Sequence, residues 1–381
     1  MSTTTPRAGK LVLILSCLIA LAACGAGSHV CPSASNSLCG CGPSALACPI
    51  TSMYLYAAGI NGQVATFPVS PATGELSVPT YVNGPANSLG AGSFNNQFLY
   101  VSNFGTVGAA AVDVWSIDPN SGALTPGTTF TLPALSLAAG LAVDNVNQTV
   151  YVADAGKIDA LAVNAATGAL TPITGSPFPS GSNLYLTLDP QNRFLYASIT
   201  DPPGAVGAFT VDSTSGALTE VAGSPFPLDP PKMTDTLPGQ VVVDSSGKFV
   251  FATAAQNSAV AGFSIDSSTG ALTPVPGSPF NAGTQPLSLA TAYSFLYVAN
   301  TGDATLSAYK IDSTSGVLTP LTGSPLTIPA GTLAVDPYGP YLYVSGAGGM
   351  SAYKIDGVTG ALTQIGSAIP YIGATAMTFV P

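Results

Sequence analysis

Charge and histidine are what this chain has least of. Only 7% of its 381 residues are Asp, Glu, Lys or Arg, and it has one histidine, His29, and one tryptophan, Trp115. With that histidine in an N-terminal tail, every His-dependent catalytic triad is excluded from the rest of the chain, and no Gly-x-Ser-x-Gly elbow occurs. All six cysteines lie before residue 49, so the region from residue 53 onward folds without disulfides. The apolar run near the N-terminus, Leu11 to Ala23, has 13 residues. A bilayer span takes about 20. Basic residues are scarce as well, 8 against 18 acidic. Loss of Arg7 and Lys10 with a cleaved leader leaves 6 against 18, a formal charge of −12, which repels phosphate backbones and excludes nucleic acid as a partner.

What is present at the N-terminus reads as an export signal. Arg7 and Lys10 precede the apolar run, which ends in Leu21-Ala22-Ala23-Cys24. That ending resembles the bacterial lipobox, which implies a signal peptide over 1–23, acylation of Cys24 and a stable membrane anchor through several acyl chains. Gly25 after the cysteine resembles outer-membrane sorting, where the organism has two membranes. Residues 24–52 form a Gly/Ser-rich tether carrying Cys31, Cys39, Cys41 and Cys48, with three disulfide connectivities open. The one-residue Cys39–Cys41 spacing is not that of a zinc knuckle, so a stapled or flexible tether is expected rather than a metal site.

From residue 53 the chain repeats. Gly74, Gly122, Gly168, Gly216, Gly270, Gly316 and Gly360 each have leucine two positions later and a large apolar residue seven positions earlier: Phe67, Trp115, Leu161, Phe209, Phe263, Tyr309 and Tyr353. The 44–54-residue spacing, with 42 glycines and 33 prolines, predicts small four-stranded sheets arranged radially. Aromatic and β-branched segments such as 98–101, 295–298 and 341–344 mark the second strand of each unit. The turn between the third and fourth strands carries Ser70, Asp118, Asn164, Asp212, Asp266, Asp312 or Asp356 four residues before its glycine. These side chains suit capping of their own turn, and the glycine suits positive φ.

The first unit starts at a second strand, and an extra first-strand segment, Ala374 to Val380, follows the last. The expectation is therefore an all-β, seven-bladed β-propeller over 53–381, with four antiparallel strands per blade and the first blade closed by the C-terminal strand.

Tyr297-Val298-Ala299-Asn300, Tyr100-Val101-Ser102-Asn103 and Tyr151-Val152-Ala153-Asp154, with the Thr-Gly-Ala-Leu-Thr and Gly-Ser-Pro-Phe segments, resemble the YVTN-type propellers of the lactonase family, similar to 6-phosphogluconolactonase-like proteins. The resemblance implies a ligand site on the face carrying the loops between second and third strands. It also implies lactone hydrolysis as one candidate activity, which needs an activated water and an oxyanion stabiliser. The carboxylates available there are Asp154, Asp201 and Asp235, with Ca²⁺ a fitting but not required cofactor. Candidate ligand contacts are Asn103, Asn300, Asp303 and Lys232, the last within the long linker 227–238. A phosphosugar site wants clustered Arg or Lys, and only Lys157 and Lys232 can face that side. Trp115 shares its repeat position with Phe209 and Tyr309, so it is expected in the core rather than as a sugar platform. The reading favoured by the residues is a lipid-anchored, extracytoplasmic module that binds a small molecule, glycan or envelope protein. A lactonase-type hydrolase and a structural envelope protein are the competing readings.

Overall fold

In the computed structural model the chain is described over residues 52–103, 110–133, 138–228, 238–371 and 373–380. Within these it forms seven antiparallel sheets, and no helix there is long and apolar enough to cross a membrane. Blade 1 pairs the outer strand Thr80–Asn83 with Gln63–Val69, Met53–Gly59 and finally Ala374–Val380. The first and last strands of the propeller thus run side by side, Tyr54 opposite Val380 and Ala57 opposite Met377. The composite first blade expected from the offset of the repeats is observed.

Each blade presents its innermost strand to the axis: 374–380, 88–94, 141–144, 183–188, 238–243, 286–292 and 332–335, in blades 1 to 7. Each packs against the innermost strand of the next blade, and the seventh packs against the first, so the ring closes. A sheet covered on both faces by neighbours has no solvent side. Second strands accordingly read as continuous apolar runs rather than alternations, and Phe98–Asn103, Thr149–Asp154 and Phe295–Asn300 are buried throughout.

The turn reading holds in detail. Asp118 Oδ1 accepts the Asn120 and Ser121 N–H groups at 3.0 and 2.8 Å, and Asp212, Asp266, Asp312 and Asp356 do the same in their turns. These hydrogen bonds hold all five carboxyls below the usual range, Asp266 at about 2. Gly122 and its six equivalents have φ between 66° and 77°.

The glycine has a second reason to be glycine that its own turn does not disclose. A Cβ on Gly122 would lie 2.4 Å from the Tyr54 ring of the preceding blade, and one on Gly74 would lie 2.4 Å from Tyr341 of blade 7. Behind these rings a tyrosine hydroxyl donates to the turn carbonyl: Tyr56 to Gly122, Tyr100 to Gly168, Tyr151 to Gly216, Tyr196 to Gly270, Tyr297 to Gly360 and Tyr343 to Gly74. The last of these bonds joins blade 7 to blade 1. In blade 5 the same register position holds Phe251, which has no hydroxyl. A buried hydrogen bond of this kind is worth about 1 kcal/mol.

The fourth strand is not a continuous ribbon in every blade. In blades 3 to 6 it breaks after three residues, Leu-Thr-Pro or, in blade 4, Leu-Thr-Glu, and the Gly-Ser-Pro segment follows. There the hydroxyl of Ser176, Ser224, Ser278 or Ser324 accepts the third-strand N–H of Ala160, Ala208, Gly262 or Ala308 at 2.9–3.1 Å. The serine takes over a ladder bond at a place where proline follows and cannot donate, which the outer edge of a sheet tolerates.

Candidate functional site

The turns between third and outer strands lie on one face of the ring, the hairpin face. Links between second and third strands, and between blades, lie on the other, the loop face. The axial cavity between them is narrow, about 80 Å³, and is lined by Leu, Gly, Ala, Tyr, Gln, Thr and Met side chains with no charged group. Its wall is stitched from strand to strand. Gln240 Oε1 accepts the Ser288 hydroxyl and the Leu289 N–H, both at 2.8 Å, Ser288 Oγ accepts the Leu333 N–H at 3.0 Å, and Thr332 Oγ1 donates to the Ala374 carbonyl at 2.8 Å. Ligand sites for small molecules usually have about 300 Å³ or more, so this axial cavity is small for one.

The polar residues singled out in the sequence that are described lie on the loop face, spread over blades 2, 3, 4 and 6. Asn103, Asp154 and Asn300 occupy one register position, the end of the second strand in blades 2, 3 and 6. All three are buried, and each meets a third-strand side chain of its own blade. Asn103 Nδ2 donates to Asp113 Oδ2 at 3.0 Å. Asn300 Nδ2 donates to Thr305 Oγ1 and Ser307 Oγ at 3.0 and 2.9 Å. Asp154 forms an ion pair with Lys157 at 3.0 Å and accepts the Ala155 N–H at 2.7 Å.

Beside Asp154 stands a carboxylate that the sequence reading passed over, Asp159, only 5% exposed. Burial raises it to about 6; Lys157 opposes that shift, and neighbouring Asp154 reinforces it. The signal was available: at that third-strand position blades 1, 4 and 5 carry Ala65, Gly207 and Ala261. Blades 6 and 7 carry Ser307 and Ser351 there, so an acid appears only in blades 2 and 3, as Asp113 and Asp159. Asn183, also buried, closes the group by donating to the Lys157 carbonyl at 3.0 Å.

Asp201 and Asp303 are loop props. Asp201 Oδ2 accepts the Ser182 N–H at 2.7 Å, and Asp303 Oδ2 accepts the Thr284 N–H at 2.8 Å, each tying a second-to-third-strand loop to the preceding blade link. Asp303 also accepts the Thr305 hydroxyl at 2.7 Å, and backbone hydrogen bonding lowers its pKa. The structure brings Asn300 and Asp303 together in blade 6, bridged by the Thr305 hydroxyl, but leaves Asp154 and Asp201 on blades 3 and 4. Among the described residues no three His, Cys, Asp or Glu side chains gather as a metal site. Asp235, Lys232, Cys24 and the four tether cysteines lie outside the described residues. Of the cations, Lys157 is held by Asp154, while Arg193 is on the hairpin face with Asp189 at 3.2 Å.

A second cavity of about 320 Å³ opens between blades 1 and 2, lined by Asn83, Gly84, Pro85, Asp113, Val114, Trp115, Pro126, Gly127 and Thr129. Trp115, 4% exposed, packs among Tyr54, Tyr56, Val64, Leu99 and Val101, in the core as expected, and also forms part of this wall.

Structural comparison gives the same architecture. A Bacteroides fragilis protein provisionally named 6-phosphogluconolactonase superposes with a TM-score of 0.73 at 19% identity, covering 87% of this chain and 99% of that one. The Pseudomonas aeruginosa periplasmic gluconolactonase gives 0.70 at 18% identity, with the same coverage of both chains. A Lactobacillus plantarum protein gives 0.71 at 19%, again covering 87% and 99%. At such identities the likeness is one of fold. A search among curated proteins finds no match. The sequence profile of the family described as Lactonase, 7-bladed beta-propeller matches residues 141–231, 204–332 and 283–379, together more than half of the chain. With the repeat, the seven closed blades and this match in hand, the chain belongs to the lactonase family of seven-bladed β-propellers.

Proposed function

We propose that this propeller is a binding module of the cell envelope, held extracytoplasmically by lipid on Cys24, and not a hydrolase. The observation carrying this reading is the dispersal of the loop-face carboxylates. Asp154, Asp201 and Asp303 sit on three blades, each already engaged by a cation or a backbone N–H, around an axis lined without charge. A lactone hydrolase needs a base, a water and an oxyanion donor within hydrogen-bond reach of one another. The relatives named for gluconolactone chemistry contribute the fold to this argument, not the site.

One observation favours the other reading. A carboxyl poised at about 6, as Asp159 is beside Asp154, suits general-base work near neutral pH. Acid release from glucono-δ-lactone and its 6-phosphate, followed at constant pH with the full chain, decides between the two. The module reading expects the uncatalysed rate. Catalysed hydrolysis that drops about a hundredfold or more in Asp154→Asn or Asp159→Asn would make the protein a lactonase instead. The anchor is tested separately: Cys24→Ser should release the chain from the membrane fraction, and retention there would refute lipidation.

A further inference from the structure

Blade 2 builds its outer edge differently from blades 3 to 6. In blades 3 to 6 a serine hydroxyl from the Gly-Ser-Pro segment covers the N–H of the third-strand residue between the Asp159 and Leu161 positions or their equivalents. Blade 2 has no such segment. Its outer strand, Leu124–Thr131, runs on with a bulge: Pro126 pairs with Trp115 and Thr129 with Asp113, so Gly127 and Thr128 together oppose Val114. An extra residue of this kind bends a strand and re-aims its side chains, and bulges concentrate beside functional sites. Here it turns Thr129 onto Asp113, whose Oδ1 accepts the threonine hydroxyl at 2.5 Å while Oδ2 accepts Asn103 Nδ2 at 3.0 Å. The same departure coincides with the 320 Å³ cavity against the blade 1 link Asn83-Gly84-Pro85.

We propose that this interblade cavity is a binding site for a small neutral saccharide. The proposal rests on the binding-module reading and gives it a location and a ligand class. A sugar ring offers hydroxyls along its rim and C–H groups on its faces. The cavity offers both complements: Asp113, Asn83 and Thr129 as hydrogen-bonding groups, with Trp115, Pro85 and Pro126 as apolar wall. The two Asp113 oxygens carry about four lone-pair sites between them, and two are used by Thr129 and Asn103, which leaves acceptors for ligand hydroxyls and fixes the carboxylate in place. The lining contains one carboxylate and no Lys or Arg, so phosphorylated or carboxylated sugars are disfavoured.

The chain carries its own reporter, because Trp115 is its only tryptophan and borders the cavity. The full chain is titrated with glucose, N-acetylglucosamine and, as the anionic control, glucose 6-phosphate, reading tryptophan emission and calorimetric heat in parallel. The expected result is saturable change in both signals with a neutral sugar and a weaker response to the phosphate. Affinity should fall about tenfold in Asp113→Asn and in the rim variant Asn83→Ala, the size of one charge-assisted hydrogen bond, with the unfolding temperature preserved. Heat without a tryptophan response, or affinity untouched in both variants, overturns this location and leaves the module reading standing. No sugar response in either signal overturns the saccharide proposal. Lactone turnover by the wild type is the separate result that would sink the module reading.

Discussion

The two faces of the ring are built from the same repeat and behave differently. On the hairpin face nearly every blade does the same thing: an Asx or Ser cap, a glycine at positive φ, and in six of seven blades a tyrosine hydroxyl from the preceding blade seated on that glycine's carbonyl. On the loop face the blades diverge. The register position that is Gly59, Ile199, Ala254 or Gly346 elsewhere becomes Asn103, Asp154 or Asn300 in blades 2, 3 and 6. Repetition holds the ring together; departures from it mark where the chain spends polar groups in buried places, which cost stability unless they are satisfied.

The sharpest way to test this contrast is to place one methyl on each face. Gly122→Ala forces a Cβ at φ 66° to within 2.4 Å of the Tyr54 ring and should cost about 3 kcal/mol in chemical denaturation. Gly348→Ala, in a loop-face turn with nothing within 4 Å, should stay within about 0.5 kcal/mol. Equal effects would erase the distinction between the faces.

Next in size is an electrostatic difference. The hairpin caps have lowered carboxyls, so their contribution is present at neutral pH and fades as acid protonates them. Asp159 is the reverse, raised by burial from the usual range near 4 to about 6. Between those values the folded protein binds more protons than the unfolded chain, so stability from this group is greatest below about pH 4 and falls as pH rises to 6 and beyond. Asp159→Asn should flatten that fall and stabilise the chain by about 2 kcal/mol at pH 7 in urea titrations across pH. A variant less stable than wild type at pH 7 would show that the charged form is favoured where it sits.

The smallest effect belongs to the ring of hydroxyls. Tyr297→Phe removes the bond to the Gly360 carbonyl and should cost about 1 kcal/mol. Phe251 shows that the ring tolerates one such absence. A much larger loss at Tyr297 would mean that this contact organises more than its own interface.

What could be read from sequence divides along the same line. Caps, turn glycines and the offset ends are local or periodic, so the hairpin face and the composite blade were legible. The tyrosine-to-glycine bonds were not, because partners 63 to 74 residues apart, or 269 apart where blade 7 meets blade 1, become neighbours only once blades stack. Asp201 and Asp303 read as rim carboxylates because each ties down its loop through a backbone N–H group 19 residues earlier, which no side-chain pattern announces. Asp113 and Asp159 were missed because attention to loops passes over acids inside strands. That they share one position, small or hydroxyl-bearing in the other five blades, is visible only by aligning blades position by position.

Closure of the ring by its two ends supports everything else, and amide hydrogen exchange measures it directly. The N–H groups of Ala374–Val380 bonded to Met53–Gly59 should exchange as slowly as the core second strands, such as Phe98–Asn103, through the same global opening. Exchange of 374–380 at loop rates while 98–103 stays protected would contradict a seven-bladed ring sealed in its first blade.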